Sequence, residues 1–170
     1  MEEVGEVEIV RLVPDEWSEV KRIRHRSVSE EPRAFGTTPS EAESITEETW
    51  RHRLANDLYL GVRYKGELVG IVGAVLEKQE KVRHIGYVYS MYIAPEVRGK
   101  GLGKKLMRQL IEETKRQFPY VIKLRLNATL GNGHAISLYE SLGFKRVARL
   151  RKELFVDGEY LDEEEMEYFY

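Results

Sequence analysis

Hydrophobic and polar positions in the first third of the chain follow the spacings of a strand and two helices. Residues 6–13 alternate as a β-strand does. Apolar residues within 17–28 then recur on one stripe, which predicts a helix that ends before Pro32. Residues 31–45 are rich in Pro, Gly, Ser and Thr and predict a loop with at most short helical pieces. A second helix is predicted over residues 46–56.

The middle of the chain predicts an antiparallel meander. Residues 57–64 and 67–76 are strand-like and flank the turn Lys65-Gly66, so they form a candidate hairpin. A polar link leads to a third run at 84–94, which is rich in Tyr, Val and Ile and is a strand candidate.

The second half mixes helices and strands, with turn signals between them. We predict, in order, a glycine-rich loop at 95–103, a helix ending before Pro119, a strand at 121–126, a loop at 127–131, a helix at 134–142 closed by Gly143, a strand at 144–150, a turn at Asp157-Gly158 and a closing strand at 165–170.

Composition narrows the class of protein. The chain has 170 residues and no internal repeat, so we expect one domain over 1–170 with a core from about residue 7. Lys plus Arg number 27 and Asp plus Glu 29, and this balance argues against a nucleic-acid partner. The absence of Cys excludes thiolate nucleophiles and Cys-ligated metals, and we expect no metal. The acidic start at 1–6 and the absence of a long apolar run predict a cytoplasmic protein without membrane contact.

The glycine-rich loop has the chemistry of a phosphate-binding site. Gly99, Gly101 and Gly103 leave the backbone bare between a strand and a helix, and Arg98 and Lys104 flank them. Amides at a helix start have no internal partners, and the helix dipole favours anions there. The nucleotide-binding motifs fit poorly, because no Ser or Thr follows Lys104 and the G-x-G-x-x-G spacing fails.

A second cluster lies downstream, at residues 132–144 (NGHAISLYESLGF). Ala135, Leu138, Tyr139 and Leu142 have helical spacing, and on that ground alone Tyr139 is a core or rim residue. Together, however, the two clusters resemble the signature of the GNAT superfamily of N-acetyltransferases. That signature has Arg/Gln-x-x-Gly-x-Gly/Ala after a strand and, further on, Asn-x-x-Ala-x-x-Leu-Tyr-x-x-x-Gly-Phe. Either motif alone is unspecific, but both occur here in order.

The resemblance implies an α+β fold and an acetyl-CoA cosubstrate. The fold would be a central mixed, mostly antiparallel sheet of about seven strands with helices on both faces. The helix after the glycine loop would connect two parallel strands that splay to admit the coenzyme. The coenzyme-binding residues would be Met91, Tyr92, Ile93, Arg98, Gly99, Lys100, Gly101, Leu102, Gly103, Lys104, Asn132 and Tyr139.

The implied reaction is direct acetyl transfer from the thioester to a primary amine. Tyr139 would be the general acid that protonates the leaving thiolate, and a backbone amide near Met91 would stabilise the oxyanion. Some members carry a Glu as base where this chain has Asn127, so the base is open. His84 and Glu31 are candidates, as are Glu30 and water relayed through Asn127 and Tyr89.

The acceptor and the partners are less constrained. In the family the acceptor lies between the first helices and the late hairpin, which suggests a substrate site formed by Glu30, Glu31, Phe35, Tyr89, Asn127 and Phe155. The acceptor is a small amine, an amino acid, or a peptide or protein amine. A non-catalytic acetyl-CoA-binding module is the alternative function. An exposed edge at residues 166–170 would allow a homodimer.

Overall fold

The computed structural model describes residues 7–170, so the acidic start at 1–6 that enters the cytoplasmic prediction lies outside the described residues. The strands are β1 Val7–Arg11, β2 Leu58–Tyr64, β3 Glu67–Leu76, β4 Ile85–Ile93, β5 Lys123–Thr129, β6 Lys145–Val156 and β7 Glu159–Phe169. The helices are α1 Trp17–Glu30, α2 Pro39–Ser44, α3 Glu47–Asn56, α4 Leu102–Gln117 and α5 Gly133–Ser141.

The strands form one seven-stranded sheet, in the order β1-β2-β3-β4-β5-β7-β6. Every neighbouring pair is antiparallel except β4 and β5, which are parallel and are connected through α4. Residues 68–74 of β3 are buried without interruption, so both faces of the sheet are covered there. Both α1 and α4 pack against this strand. The expected α+β architecture is therefore confirmed.

Helix α4 is anchored by one fully buried stripe. Leu106, Met107 and Leu110 have no exposed surface, as expected for the core-facing side of an amphipathic helix. This packing fixes the direction of α4 against β2 and β3 and so aims its N-terminus at the end of β4. None of the helices in the described part of the chain is long and apolar enough to span a membrane.

The last two strands differ from the sequence prediction. Strand β7 begins at Glu159 rather than at residue 165, and it lies between β5 and β6. Residues 166–170 are therefore not an exposed edge, and that reason for a homodimer was wrong. Among the described residues, the edge strands of the sheet are β1 and β6.

The predicted loop at 31–45 contains one short helix, α2, which Thr38 caps by accepting a hydrogen bond from the Glu41 amide.

A bulge distorts β6 where it passes the middle of β7. Leu150 pairs with Glu163 and Leu154 with Leu161, so three residues of β6 face one residue of β7. Lys152 adopts the left-handed region there (φ 55°). Its backbone amide donates to Asp162 Oδ1 at 2.8 Å, which holds the bulge in place.

Candidate active site

The main cavity opens where β4 and β5 separate. The two strands pair only from Ile85 with Lys123 to Tyr87 with Arg125, although β4 continues to Ile93. The resulting cavity has a volume of about 1120 Å³. Its walls include residues 34–37 after α1, 87–93 of β4, 101–104 of α4, 126–129 of β5, and Leu138 and Tyr139 of α5. The expected splaying of the parallel strands is thus present.

A bulge in β4 lies in the wall of this cavity. Tyr89 pairs with Gly73 and Tyr92 pairs with Ile71, so Ser90 and Met91 together face the single residue Val72. Ser90 adopts φ 56°, in the left-handed region that a residue other than glycine rarely enters. A bulge leaves a residue out of the hydrogen-bond ladder. Backbone groups of β4 are therefore available to a ligand at this point.

The glycine loop adopts conformations that require glycine. Gly99 (φ 78°) and Gly101 (φ 73°) both lie in the left-handed region, and a Cβ at either position would meet no other atom within 4 Å. Gly101 is the N-cap of α4, so the amides of the first turn lack partners within the helix. Lys104 is half-buried in the cavity wall beside them. This arrangement suits a bound anion.

Arg98 ties the glycine loop to the end of β4. Its Nε donates to the Ile93 carbonyl at 2.8 Å, and its guanidinium forms an ion pair with Glu31. The guanidinium carbon also lies 5.8 Å from the centre of the Tyr92 ring. Arg98 and Glu31 both line the cavity, so the predicted loop cation and one predicted base meet each other.

Tyr139 lies between the core and the cavity. Its ring contacts Phe144 edge-on, with centroids 5.9 Å apart, and the residue is only 7% exposed. Burial, together with the Glu31 carboxylate, raises the pKa of the phenol. The ring lines the cavity, and Asn132 fixes the start of its helix by accepting a hydrogen bond from the Ala135 amide at 3.3 Å. The phenol is therefore protonated at neutral pH, and the residue borders the gap between the strands.

Glu163 is a site residue that the sequence did not reveal. It lies on β7 opposite Thr129, is 8% exposed, and lines the cavity. Its Oε2 accepts a hydrogen bond from Asn127 Nδ2 at 3.1 Å, and no cation of residues 7–170 lies within 4.0 Å of it. Burial raises the pKa of this carboxyl group, Glu153 raises it further, and the Asn127 bond partly opposes the shift.

The other predicted site residues divide between the cavity and its surroundings. The cavity wall contains Met91, Tyr92, Ile93, Gly99, Leu102, Gly103, Asn132, Phe35, Tyr89 and Asn127. Four predicted residues are not in that wall: Lys100, Glu30, Phe155 and His84. The Lys100 ammonium lies 4.9 Å from the Tyr64 ring centre. Glu30 instead accepts from the Tyr92 hydroxyl and from Arg26, and Phe155 stacks on Tyr160 at the surface.

His84, a candidate proton acceptor, lies away from the cavity. It precedes β4 by one residue, at the end where β4 and β5 are still paired, whereas the cavity begins at Tyr87 and extends the other way. Its carbonyl accepts from the Ile122 amide at 3.0 Å, which joins the two strands. This geometry does not support His84 as the proton acceptor.

Comparisons with known proteins agree with the geometry. A family model described as the acetyltransferase (GNAT) family matches residues 20–144. The N-alpha-acetyltransferase RimI of Mycobacterium tuberculosis is 31% identical over 59% of this chain and 60% of its own length. The chain spans between 51% and 60% of the length of three curated relatives that it matches.

Solved structures share the fold. A GNAT-family acetyltransferase from Streptococcus pneumoniae superposes with a TM-score of 0.87, at 23% identity, over 96% of this chain and 99% of that one. A phosphinothricin acetyltransferase from Sinorhizobium meliloti, solved in complex with acetyl-CoA, superposes with a TM-score of 0.81 at 20% identity, over 96% and 88%. At sequence identities of 20–23%, these similarities show a shared fold and nothing about a shared substrate.

The raised pKa of Glu163 predicts a gain in stability when its charge is removed. Above that pKa, the ionised carboxylate disfavours the folded state, so Glu163→Gln should raise the melting temperature at pH 8. In a chain of this size, a change of about 1 kcal/mol in the free energy of unfolding shifts the melting temperature by roughly 2–4 °C. The gain should shrink as the pH falls through the raised pKa of the folded state, and it should vanish below about 4.3, where the carboxyl is protonated in both states.

Asp162→Asn is the matched control on the same strand. The Lys152 amide and Arg149 lower the pKa of Asp162, so its charge stabilises the fold. This variant should melt below the wild type at pH 8, and the loss should shrink as the pH falls. A lower melting temperature for Glu163→Gln at pH 8 would contradict the description of Glu163 as a buried, unpaired carboxylate.

Proposed function

Because the chain belongs to the acetyltransferase (GNAT) family, we propose that it transfers the acetyl group of acetyl-CoA directly to a primary amine within a ternary complex. One observation carries the proposal. A single cavity contains the free amides at the start of α4, the bulge of β4, the Tyr139 phenol and the unpaired Glu163 carboxylate. In the same order, these four features can act as an anion site, a donor to the oxyanion, a proton donor and a proton acceptor.

The residues at the start of α4 fit the diphosphate of the coenzyme. Gly99 and Gly101 leave room at the backbone, and the helix dipole together with Lys104 attracts negative charge. The unpaired stretch of β4 after Tyr87 offers backbone donors and acceptors to an extended chain, as a sheet edge does to an added strand. When bound, acetyl-CoA supplies a thioester that an amine can attack.

Glu163 is the proton acceptor in this proposal. Alkyl amines are mostly protonated at neutral pH, with a pKa near 10.4 for a lysine-like group. A carboxylate that burial has made more basic accepts a proton more readily, and Asn127 orients it. Glu31, the other candidate in the cavity, is already engaged by Arg98. The position where other members carry a Glu is Asn127 here, and its side chain contacts the carboxylate that takes over that role.

The transfer step balances with these groups. Glu163 takes one proton from the ammonium group and releases it to the solvent. The free amine nitrogen then bonds to the acetyl carbon, the carbon–sulfur bond breaks, and the second nitrogen proton also leaves through Glu163. A backbone amide near Ser90 and Met91 donates to the developing oxyanion. The Tyr139 phenol protonates the departing sulfur and is reprotonated through the solvent in the open cavity. Burial favours the neutral phenol, so the donor is present throughout the neutral pH range.

The proposal predicts selective binding of the coenzyme. In isothermal titration, acetyl-CoA and CoA should bind at least about tenfold more tightly than ATP or NAD, because the pantetheine arm as well as the diphosphate is held. A thiol-release screen over amines should then find acceptors. Equal or tighter binding of ATP or NAD would contradict the proposal. Binding of acetyl-CoA without transfer to any amine would favour the non-catalytic module.

Removal of the phenol hydroxyl should slow chemistry without loss of coenzyme binding. We expect Tyr139→Phe to lower kcat by about 10²- to 10⁴-fold, while the Kd of acetyl-CoA stays within about threefold. Tyr168→Phe is the control, because that ring also packs on Phe144 but does not line the cavity. An unchanged kcat in Tyr139→Phe would remove Tyr139 from the mechanism.

Glu163→Gln should lower kcat/KM at pH 7 by about 10²- to 10⁴-fold, since the amine then loses its proton acceptor. The rise of kcat/KM with pH that reports a carboxylate base should disappear. Glu164→Gln is the control, because Glu164 neighbours Glu163 on β7 but does not line the cavity. Wild-type kcat/KM in Glu163→Gln would refute the base assignment. A melting temperature at or above the wild type excludes unfolding as the cause of a loss.

A further inference from the structure

A half-buried guanidinium lies in the acceptor side of the cavity without an ionic partner. Arg24, on α1, lines both the main cavity and an adjoining recess of about 700 Å³ that reaches α2 and α3. Its contacts are to neutral groups: Ser27 Oγ and Thr37 Oγ1, each at 3.4 Å, and the Phe35 ring, whose centre lies 4.5 Å from the guanidinium carbon. No carboxylate of residues 7–170 lies within 4.0 Å of it.

Two other arginines, one on α1 and one at the glycine loop, do have such partners. Arg26, on the same helix, pairs with Glu30 and Glu96, and Arg98 pairs with Glu31. Arg24 has none, although burial disfavours an unpaired charge and lowers the pKa of this guanidinium. The two acidic residues that line the recess have other partners: Asp57 accepts from the Tyr89 hydroxyl at 2.7 Å, and Glu41 accepts from the Thr38 amide at 2.8 Å. Arg24 is therefore a cation with free hydrogen-bonding capacity beside the site.

The hydrogen-bond donors of Arg24 remain largely available. The guanidinium lies over the Phe35 ring, and its two oxygen contacts are long, at 3.4 Å. A planar guanidinium matches a carboxylate with two parallel hydrogen bonds. Glu163 lines the same cavity and is an unpaired anion. One cavity thus offers a free cation and a free anion, which is the complement of a molecule carrying both charges.

We infer that the acceptor is a small amino acid, whose carboxylate is bound by Arg24 while its amine is directed to Glu163. This inference rests on the proposed acetyl transfer and narrows its acceptor. Phe35 and Tyr89 supply apolar surface beside Arg24 for the rest of the molecule. A long peptide has no α-carboxylate next to its terminal amine, so peptides without an acidic first residue are disfavoured acceptors.

The test compares acceptors with and without the carboxylate, and kcat/KM is expressed per unprotonated amine, because loss of the carboxylate also changes the pKa of the amine. Thiol release is measured with L-leucine against L-leucinamide, glycine against glycinamide, and γ-aminobutyrate against butylamine. Wild-type protein should show a kcat/KM at least about tenfold higher for the acid of at least one pair, because a charge-assisted hydrogen bond is lost in the other member. The pair with the largest ratio gives the spacing between amine and carboxylate.

Variants of Arg24 separate recognition from structure. Arg24→Gln should raise the KM of the preferred acid by about 10- to 100-fold and change the values for its amide or amine less than about threefold. Arg24→Lys keeps the positive charge but not the two parallel N–H donors of the guanidinium, so its KM for the acid should lie between those of the wild type and Arg24→Gln. Arg22→Gln removes a charge from the exposed side of the same helix and is the control.

The possible results test the amino-acid acceptor separately from the proposed acetyl transfer. Equal turnover of acids and their uncharged counterparts overturns the inference and leaves acetyl transfer standing. A similar loss on both kinds of acceptor in Arg24→Gln also overturns it, and assigns Arg24 to the packing of residues 34–37. No acetyl-CoA binding and no transfer to any amine overturns the proposed function, and the inference with it.

Discussion

The separation of β4 from β5 is the constraint on which the rest of the site depends. The strands pair over residues 85–87 of β4 and then diverge, so a continuous sheet becomes the wall of a cavity. Three features keep the gap open: α4 is fixed beneath the sheet by its buried stripe, β4 is bulged at Ser90, and Arg98 holds the glycine loop against the Ile93 carbonyl. Because parallel strands connected by a helix place that helix's N-terminus at their carboxyl ends, the anion site and the gap coincide.

Some of the charged side chains that line the cavity form ion pairs, and others do not. Glu31 and Arg98 are paired at the mouth of the glycine loop, whereas Glu163 and Arg24 have no ionic partner among residues 7–170. Unpaired charges in partly dry surroundings are costly, and proteins retain them chiefly where a ligand or a reaction uses them. The Asn127 amide reduces that cost for Glu163 without neutralising it, so the carboxylate remains able to take up a proton.

The parts of the site that local sequence encodes were predictable, and the parts that depend on strand pairing were not. The glycine loop, α4 and the helix of Tyr139 follow from glycine positions and helical spacing within short segments. Glu163 enters the site only because β7 inserts between β5 and β6 and brings it opposite Thr129, and no local pattern reports strand order. The same missing information led to the assignment of residues 166–170 to an edge. His84 depends on the same pairing: β4 and β5 are paired next to it and separate only beyond Tyr87, so the residue lies away from the cavity.

The bulged edge strand β6 has a consequence for behaviour at high concentration. Its exposed residues include Lys145, Arg151 and Lys152, and the kink at Lys152, held by Asp162, breaks the regular line of free amides and carbonyls. Charge and a bulge on an edge strand both disfavour pairing between two such edges, which is how natural sheets resist fibril growth. The strand that positions Leu154 and Glu153 in the cavity wall therefore also protects the molecule from aggregation.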